Sequence, residues 1–435
     1  MEPIVVIGGG LAGCEATCQI AKRGGKVVLC EMKPLSYSPA HHSPFLAEIV
    51  CSNSFKSESL ENGPGVLKGE MELLDSFILR VAQETRVPAG DSLAVDRDAF
   101  SKRITEIVEG LGNVEIVRKE VSAIPQDGIT IVATGPLTAE ALSREIQMIT
   151  GDQRLFFYDA ISPIITADSI NFEKTFKASR YGKGGGDYVN CPMDEETYDQ
   201  FVDALNQAEN VFLREFERKY LFEGCLPIEE LAARGRDTLA FGPLKPVGLI
   251  DPRTGKQPFA VVQLRQENRF GTLFNLVGFQ TRLKYEDQKR VFRMIPGLER
   301  AEFVRLGSVH RNTFIDSPRL LEASLQLRDR LHLLFAGQIT GVEGYMESAA
   351  MGLLAGINAL RMERGMDPVA PPPTTAMGAL IHYITQSQNI PFEPMNINFG
   401  LLPPLPGKVK GREKRRLLAK RALKEMKEWM EEKGI

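Results

Sequence analysis

The sequence predicts an α/β protein: a Rossmann-like dinucleotide-binding domain, interrupted by an inserted mixed α+β domain and ending in a C-terminal helical tail. Three observations carry that prediction. A glycine-rich turn near the start lies between a short apolar run and a helical stretch. Two later apolar runs end in small-residue tripeptides. The parallel-strand pattern stops near Gly151 and returns after Gly307.

The opening stretch is the most informative. Ile4, Val5, Val6 and Ile7 read as a buried strand, and Gly8, Gly9, Gly10 and Gly13 give a turn tight enough for backbone N–H groups to approach a pyrophosphate. From Leu11 and Ala12 to Arg23 the chain reads as a helix whose positive N-terminal end faces that anion. Lys26 to Cys30 is a second strand. Glu31, at its end, sits where a carboxylate can bind ribose hydroxyls.

In order from there, Lys33 to Gly69 reads as a long irregular loop rich in Pro, Ser, Gly and His, and loops of this length in compact domains are often functional. Helical spacing covers Glu70 to Glu84 and Phe100 to Leu111, followed by strands at Val114 to Val117 and Ile129 to Val132. Ala133-Thr134-Gly135 then lets the strand end pass close beneath a dinucleotide. Past Gly151 come a flexible glycine loop at Gly182 to Gly186, a polar helix at Glu195 to Asn210, and antiparallel strands at Val261 to Leu264 and Leu273 to Val277. The first pattern resumes with the strand Leu331 to Phe335, the turn Ala336-Gly337-Gln338 and a helix from Gly344 to Arg361 rich in Ala, Gly and Met. We therefore expect one domain from residues 1–150 and 308–435, and an inserted substrate domain from 151–307. A dinucleotide site begun at one end and finished some three hundred residues later is characteristic of two-domain flavoproteins, which makes FAD the expected ligand of Gly8–Gly13, Glu31, Gly135, Gly337 and Gln338.

Bulk properties bound the remainder. With 435 residues, a net charge of −3, 25% charged and 43% hydrophobic residues, the chain has an ordinary globular composition that does not announce a polyanion partner. No apolar run approaches the roughly 20 residues that span a bilayer, and the first strand starts at once, so a cytoplasmic location without membrane attachment is expected. Six cysteines occur without a CxxC pair or a Cys/His cluster, which argues against a zinc site and a disulfide framework. After the stiff Pro371-Pro372-Pro373, the tail from Lys408 to Lys427 is strongly basic; it reads either as a solvated helix with ion pairs or as a phosphate-binding face.

Longer blocks carry a resemblance. Ala47-Glu48-Ile49-Val50-Cys51-Ser52-Asn53-Ser54, Asp187 to Met193, Phe241 to Leu249, Leu276 to Thr281, Met294 to Glu299, His310 to Thr313 and Ala336 to Tyr345 resemble the bacterial folate- and FAD-dependent tRNA (uracil-5-)-methyltransferases over practically the whole chain. The glycine turn and the Gly337 block also resemble the flavoprotein that modifies the wobble uridine of tRNA, a more distant alternative with a longer C-terminal region. The resemblance implies FAD as reductant and one-carbon carrier, methylenetetrahydrofolate as carbon donor and NAD(P)H as electron source. The substrate it implies is the T-loop uridine at position 54, with no obligate protein partner.

Such chemistry needs a thiolate, because uracil C5 becomes nucleophilic only after reversible addition at C6. Cys14, Cys18 and Cys30 read as buried packing thiols, and Cys191 as a minor candidate. Cys225, just before a short helix starting near Ile228, matches the family's nucleophile. Cys51 matches its second cysteine, as proton acceptor at C5 or as protector of the flavin. Lys245, Arg282 and His310 are the expected folate or substrate contacts, His41 and His42 read as plain hydrogen-bonding groups, and Arg180, Lys183 and the basic tail are the expected phosphate contacts. A simple flavin oxidoreductase is disfavoured by the missing CxxC, and a non-catalytic RNA scaffold by the two matched cysteines.

Overall fold

The computed structural model describes residues 2–151, 155–182, 185–211, 226–388, 392–407 and 409–435; the side chains of 155–159, 310 and 311 are not described. Two six-stranded sheets organise them. In the first, Ile4–Ile7 lies centrally, parallel to Val27–Glu31 on one side and Thr130–Val132 on the other, with Val114–Arg118 and Arg330–Phe335 extending the parallel set and Gln326–Leu327 closing one edge antiparallel. A sheet covered on both faces needs unbroken apolar strands, which is what Ile4-Val5-Val6-Ile7 supplies.

The second sheet is antiparallel at every neighbouring pair: Phe176–Lys177, Val189–Met193, Ala260–Gln266, Leu273–Leu276, Ile164–Thr166 and Phe303–Arg305, in that spatial order. The helices Glu195–Gln207 and Tyr285–Phe292 cover it around a core that includes Tyr198, Phe201, Phe279 and Phe292. The antiparallel pair Leu155–Ala160 and Val309–Phe314 carries the chain between the two sheets.

A close helix-on-helix contact joins the two ends of the dinucleotide pattern. Leu11–Lys22 lies against Tyr345–Glu363, and Gly352 and Gly356 meet the backbone of Ala12 and Ala16 there. A Cβ on Gly352 would stand 2.1 Å from the Ala12 carbonyl oxygen, and one on Gly356 2.7 Å from that of Ala16. The small residues of this helix thus serve backbone-to-backbone packing against the first helix.

Two expected boundaries change. The stretch 33–69 is not wholly irregular: it holds the strand Ser54–Ser57, which pairs with Ser92–Val95, and the start of a helix, Gly63–Leu73, with Pro64 in its first turn. The single helix expected over 70–84 is two, because Asp75 takes a left-handed φ of 53° and Ser76 caps a new helix, Phe77–Glu84, by accepting the Leu79 N–H. Fully buried Glu15 completes that cap, accepting the amides of Phe77 and Ile78 and the Ser76 hydroxyl at 2.8–3.1 Å. Glu70 does the same for Ala376 and Met377 at the start of Ala376–Gln386.

The basic tail forms the helix Gly411–Lys433. Its stripe of Leu418, Ala419, Ala422, Met426 and Trp429 is buried, while Lys414, Arg415, Arg416 and Lys420 face outward. Among the described residues no helix is long and apolar enough to cross a membrane.

The helix crossing gives a direct test. Gly352→Leu should destabilise the protein by about 3 kcal/mol or more, since the Ala12 backbone cannot retreat without moving the first strand's turn. Denaturant unfolding of the variant with an unchanged midpoint would refute this account of the crossing.

Candidate cofactor cleft and cysteine loop

The strand Ile4–Ile7 ends in Gly8, whose φ of 104° and close approach to Ala133 leave no room for a side chain: a Cβ would lie 2.6 Å from the Ala133 oxygen. Gly9 donates its N–H to Glu31 Oε2 at 2.7 Å, and its carbonyl accepts the Ala47 N–H at 2.8 Å. Gly10 caps the helix Leu11–Lys22, and a Cβ there would meet nothing within 4 Å. That open space is the cleft. Gly13 instead packs under the turn, where a Cβ would clash with the Gly8 oxygen at 1.8 Å.

The cleft is lined by Gly8, Gly9, Gly10, Leu11, Ala12, Glu31, Gly135, Gly337 and Gln338, so the structure brings these expected cofactor residues together. Glu31 is buried at the end of its strand, where Oε1 accepts the Lys33 N–H at 2.9 Å. Each of its oxygens keeps a further lone pair for a hydroxyl. With the first-turn amides of Leu11–Lys22 at one end and a carboxylate at the other, the donor and acceptor set fits a dinucleotide.

Sequence reasoning missed the far wall. His41, Glu48 and Val50 line the cleft, because the 33–53 loop folds back under the glycine turn. Lys33, only 4% exposed, holds that loop through the Phe45 carbonyl at 2.5 Å and Glu48 at 3.3 Å. His41 bonds Ser38 Oγ through Nδ1, and burial lowers its pKa.

Cys51 follows Val50 and is half-buried, its Sγ 3.9 Å from the Ala160 carbonyl. Its backbone is held on both sides. The Tyr345 hydroxyl, itself part of the cleft wall, accepts the amides of Cys51 at 2.8 Å and Ser52 at 3.2 Å. From the other side Arg97 donates to the carbonyls of Ile49 and Cys51, Arg305 to those of Val50 and Cys51, and Arg265 to Ser52 Oγ and Asn53 Oδ1. Glu267 pairs with Arg97 at 2.8 Å. Burial and the neighbouring Arg97 pull Arg305 down to about 10, and burial raises the Tyr345 phenol. No sequence pattern marks these three arginines, which are far apart in the chain.

Among the described residues, Arg180, Lys245 and Arg282 do not line the cleft. Cys225 and Lys183 lie outside the described residues, as does the side chain of His310. The helix Ile228–Ala233 begins where expected, but its first turn already holds Glu229 and Glu230, and the Ile228 N–H is bonded to the Gln280 carbonyl. Arg282, expected as a folate or substrate contact, is a correction: it is 3% exposed, packed between Glu229 and Glu230, and donates to the Val211 carbonyl. Arg180 is likewise engaged, on the carbonyls of Pro243 and Lys245. Lys245 is partly exposed on the 241–250 loop.

Comparison with known proteins agrees with this architecture. Residues 3–367 match the family model of glucose inhibited division protein A. The chain is 60% identical to the methylenetetrahydrofolate--tRNA-(uracil-5-)-methyltransferase TrmFO of Geobacter sulfurreducens, across 98% of each chain. It is 58% identical to the protein of that name from Sulfurihydrogenibium sp., across 99% of this chain and 98% of the other, and 56% identical to that of Moorella thermoacetica, across 97% of each. Among solved structures, GidA of Aquifex aeolicus superposes with a TM-score of 0.71 at 17% identity, covering 98% of this chain and 73% of that one, a likeness of fold.

The hold on Cys51 is testable apart from any activity. Tyr345→Phe leaves two amides without their acceptor and should cost about 1–3 kcal/mol, with faster hydrogen exchange at Cys51 and Ser52. Unchanged exchange at those two amides would show that the phenol does not fix the loop.

Proposed function

The chain belongs to the family of methylenetetrahydrofolate--tRNA-(uracil-5-)-methyltransferases, within the wider group of glucose inhibited division protein A, and on that premise we propose how its own residues serve the reaction. It is an FAD-dependent enzyme that transfers a carbon from methylenetetrahydrofolate to uracil C5 in tRNA. The glycine turn and Glu31 would hold the dinucleotide, with Gly337 and Gln338 on the facing wall of the cleft. Bound FAD, reduced by NAD(P)H, supplies the electrons that take the carbon to the methyl level. We assign the T-loop uridine at position 54 as the target, and the cytoplasm as the location.

Cys225 is the residue we assign to C6: its thiolate would add there, making C5 nucleophilic toward the folate-derived carbon, and after C5 has lost its proton, tetrahydrofolate has been released and the carbon has been reduced to a methyl group, the thiolate would be expelled from C6. The observation that carries a second cysteine into this scheme is the placing of Cys51. Its neighbour Val50 and its anchor Tyr345 both line the cofactor cleft, which supports a role for this thiol as proton acceptor at C5 or as protector of the flavin. The close relatives bear the methyltransferase name over almost their full length, which favours this reading over wobble-uridine modification.

The test combines purified protein, NADH, methylenetetrahydrofolate and an unmodified tRNA transcript, scored for 5-methyluridine. Cys225→Ala should abolish the product while the protein stays yellow with bound flavin, and Cys51→Ala should lose activity by at least tenfold. Full activity in Cys225→Ala would sink the assignment. For the basic tail, about three phosphate contacts would weaken tRNA binding roughly 40-fold between about 50 and about 200 mM salt. A flat salt response would remove the tail from the interface.

A further inference from the structure

Outside the cleft, residues 177–182 and 241–250 meet on the second sheet's side of the molecule and display large apolar side chains to solvent. Phe241 is 84% exposed, Tyr181 60%, Ile250 56% and Val247 45%. None of them lines the cofactor cleft. The display is fixed rather than loose. Leu244 and Leu249 are fully buried and anchor the loop between them, Arg180 ties it by donating to the carbonyls of Pro243 at 2.9 Å and Lys245 at 3.0 Å, and Val261 donates its N–H to the Leu244 carbonyl at 2.9 Å. Tyr181 is held at a left-handed φ of 61°, with Gly248 so close that a Cβ would stand 2.8 Å from the Tyr181 nitrogen. A bulky residue held in that conformation costs stability and is kept where its position matters.

The charge of this surface points to its partner. Residues 177–182 and 241–250 contain Lys177, Arg180 and Lys245 and no carboxylate. Asp251, the next acid along the chain, is 3% exposed and gripped by Arg253 at 2.6 Å and 2.9 Å. Asp237, four residues before Phe241, is exposed, but the displayed rings with Lys177 and Lys245 beside them suit nucleobases on a phosphate backbone, because any base can stack on a ring face and lysines meet the phosphates. The surface also lies close to the start of the helix Ile228–Ala233. Gly278 packs on Pro243, where a Cβ would be 2.8 Å from the Pro243 Cβ, and two residues on the Gln280 carbonyl accepts the N–H of Ile228, three residues beyond Cys225 in sequence.

We propose that Tyr181 and Phe241 form a stacking platform for unpaired bases of the tRNA, which rests on the methyltransferase reading given above. Drawing the target uridine out of the T-loop breaks its stacking with its neighbours, and the exposed rings give those bases a replacement stack while Lys245 and Lys177 meet the adjoining phosphates.

The experiment compares wild type with Phe241→Ala, Tyr181→Ala and the double variant, each shown to be folded by its flavin content and thermal unfolding. KM for tRNA should rise roughly tenfold or more for each ring removed, and Phe241→Trp should restore it. A T-arm hairpin carrying 2-aminopurine beside the target uridine should change its fluorescence on binding wild type and not on binding the double variant. This second readout needs no turnover, so a wild type that made no 5-methyluridine would overturn the activity while leaving the platform to be judged by fluorescence. An unchanged KM together with an unchanged fluorescence response in the double variant overturns the platform. So does a double variant that alters only the oligomeric state in light scattering, which would mark the surface as a protein contact.

Discussion

The architecture depends on one close contact, that of Gly352 and Gly356 with Ala12 and Ala16. The first helix of the chain must carry the glycine turn at its N-terminus, and the helix after Gly337 must bring the opposite wall of the cleft to it. Both walls are set by how closely the two axes approach. With side chains at 352 and 356 the helices would stand apart, and Gly337, where a Cβ would lie 2.8 Å from the Ala12 Cβ, would withdraw from the turn. Residues some 340 positions apart therefore fix a single cavity. The apolar area buried along this seam opposes the chain entropy of bringing its ends together.

How much of this was legible follows from which features are local. The strands Ile4–Ile7 and Thr130–Val132 and the returning Arg330–Phe335 announce themselves as apolar runs, because a parallel sheet covered on both faces needs them. The helix Gly63–Leu73 did not, because its first turn reads Gly-Pro-Gly. Gly65 is there for packing: a Cβ would stand 2.1 Å from the Ser59 oxygen, which sequence cannot reveal. The break at Asp75 is equally non-local, since the cap that pays for it comes partly from Glu15 on another helix. At the site, the glycines and Glu31 were readable from spacing, whereas Arg282 was misjudged because burial, and not residue type, decides whether a guanidinium is open to a ligand.

The Cys51 loop shows why the remaining part of the site could not be read in advance. Its carbonyls at Ile49, Val50 and Cys51 converge, which turns a run of peptide dipoles into a local acceptor site. Guanidiniums suit that geometry, since each presents a planar fork to two carbonyls at once. Three arginines gather around the loop, with Glu267 paired to Arg97, and burial, followed by the charge of Arg97 beside it, lowers the pKa of Arg305. Crowded cations persist only where each has more than one fixed acceptor, so the loop and the arginines hold each other in place.

Those arginines come from different parts of the fold. Arg97 begins the helix Arg97–Glu109, which packs with the first sheet's core, whereas Arg265 and Arg305 lie on strands of the second sheet. Tyr345, on the opposite side, starts the helix whose glycines fit the first helix. The backbone of Cys51 is thus referenced to both sheets and to the cofactor cleft at once. A displacement of the second sheet relative to the first would pull Arg265 and Arg305 off the loop while Tyr345 and Arg97 kept hold of it, and the thiol would lose its fixed place at the cleft edge. The position of Cys51 is therefore set by residues of both sheets and of the helix that lines the cleft, through hydrogen bonds to one short loop.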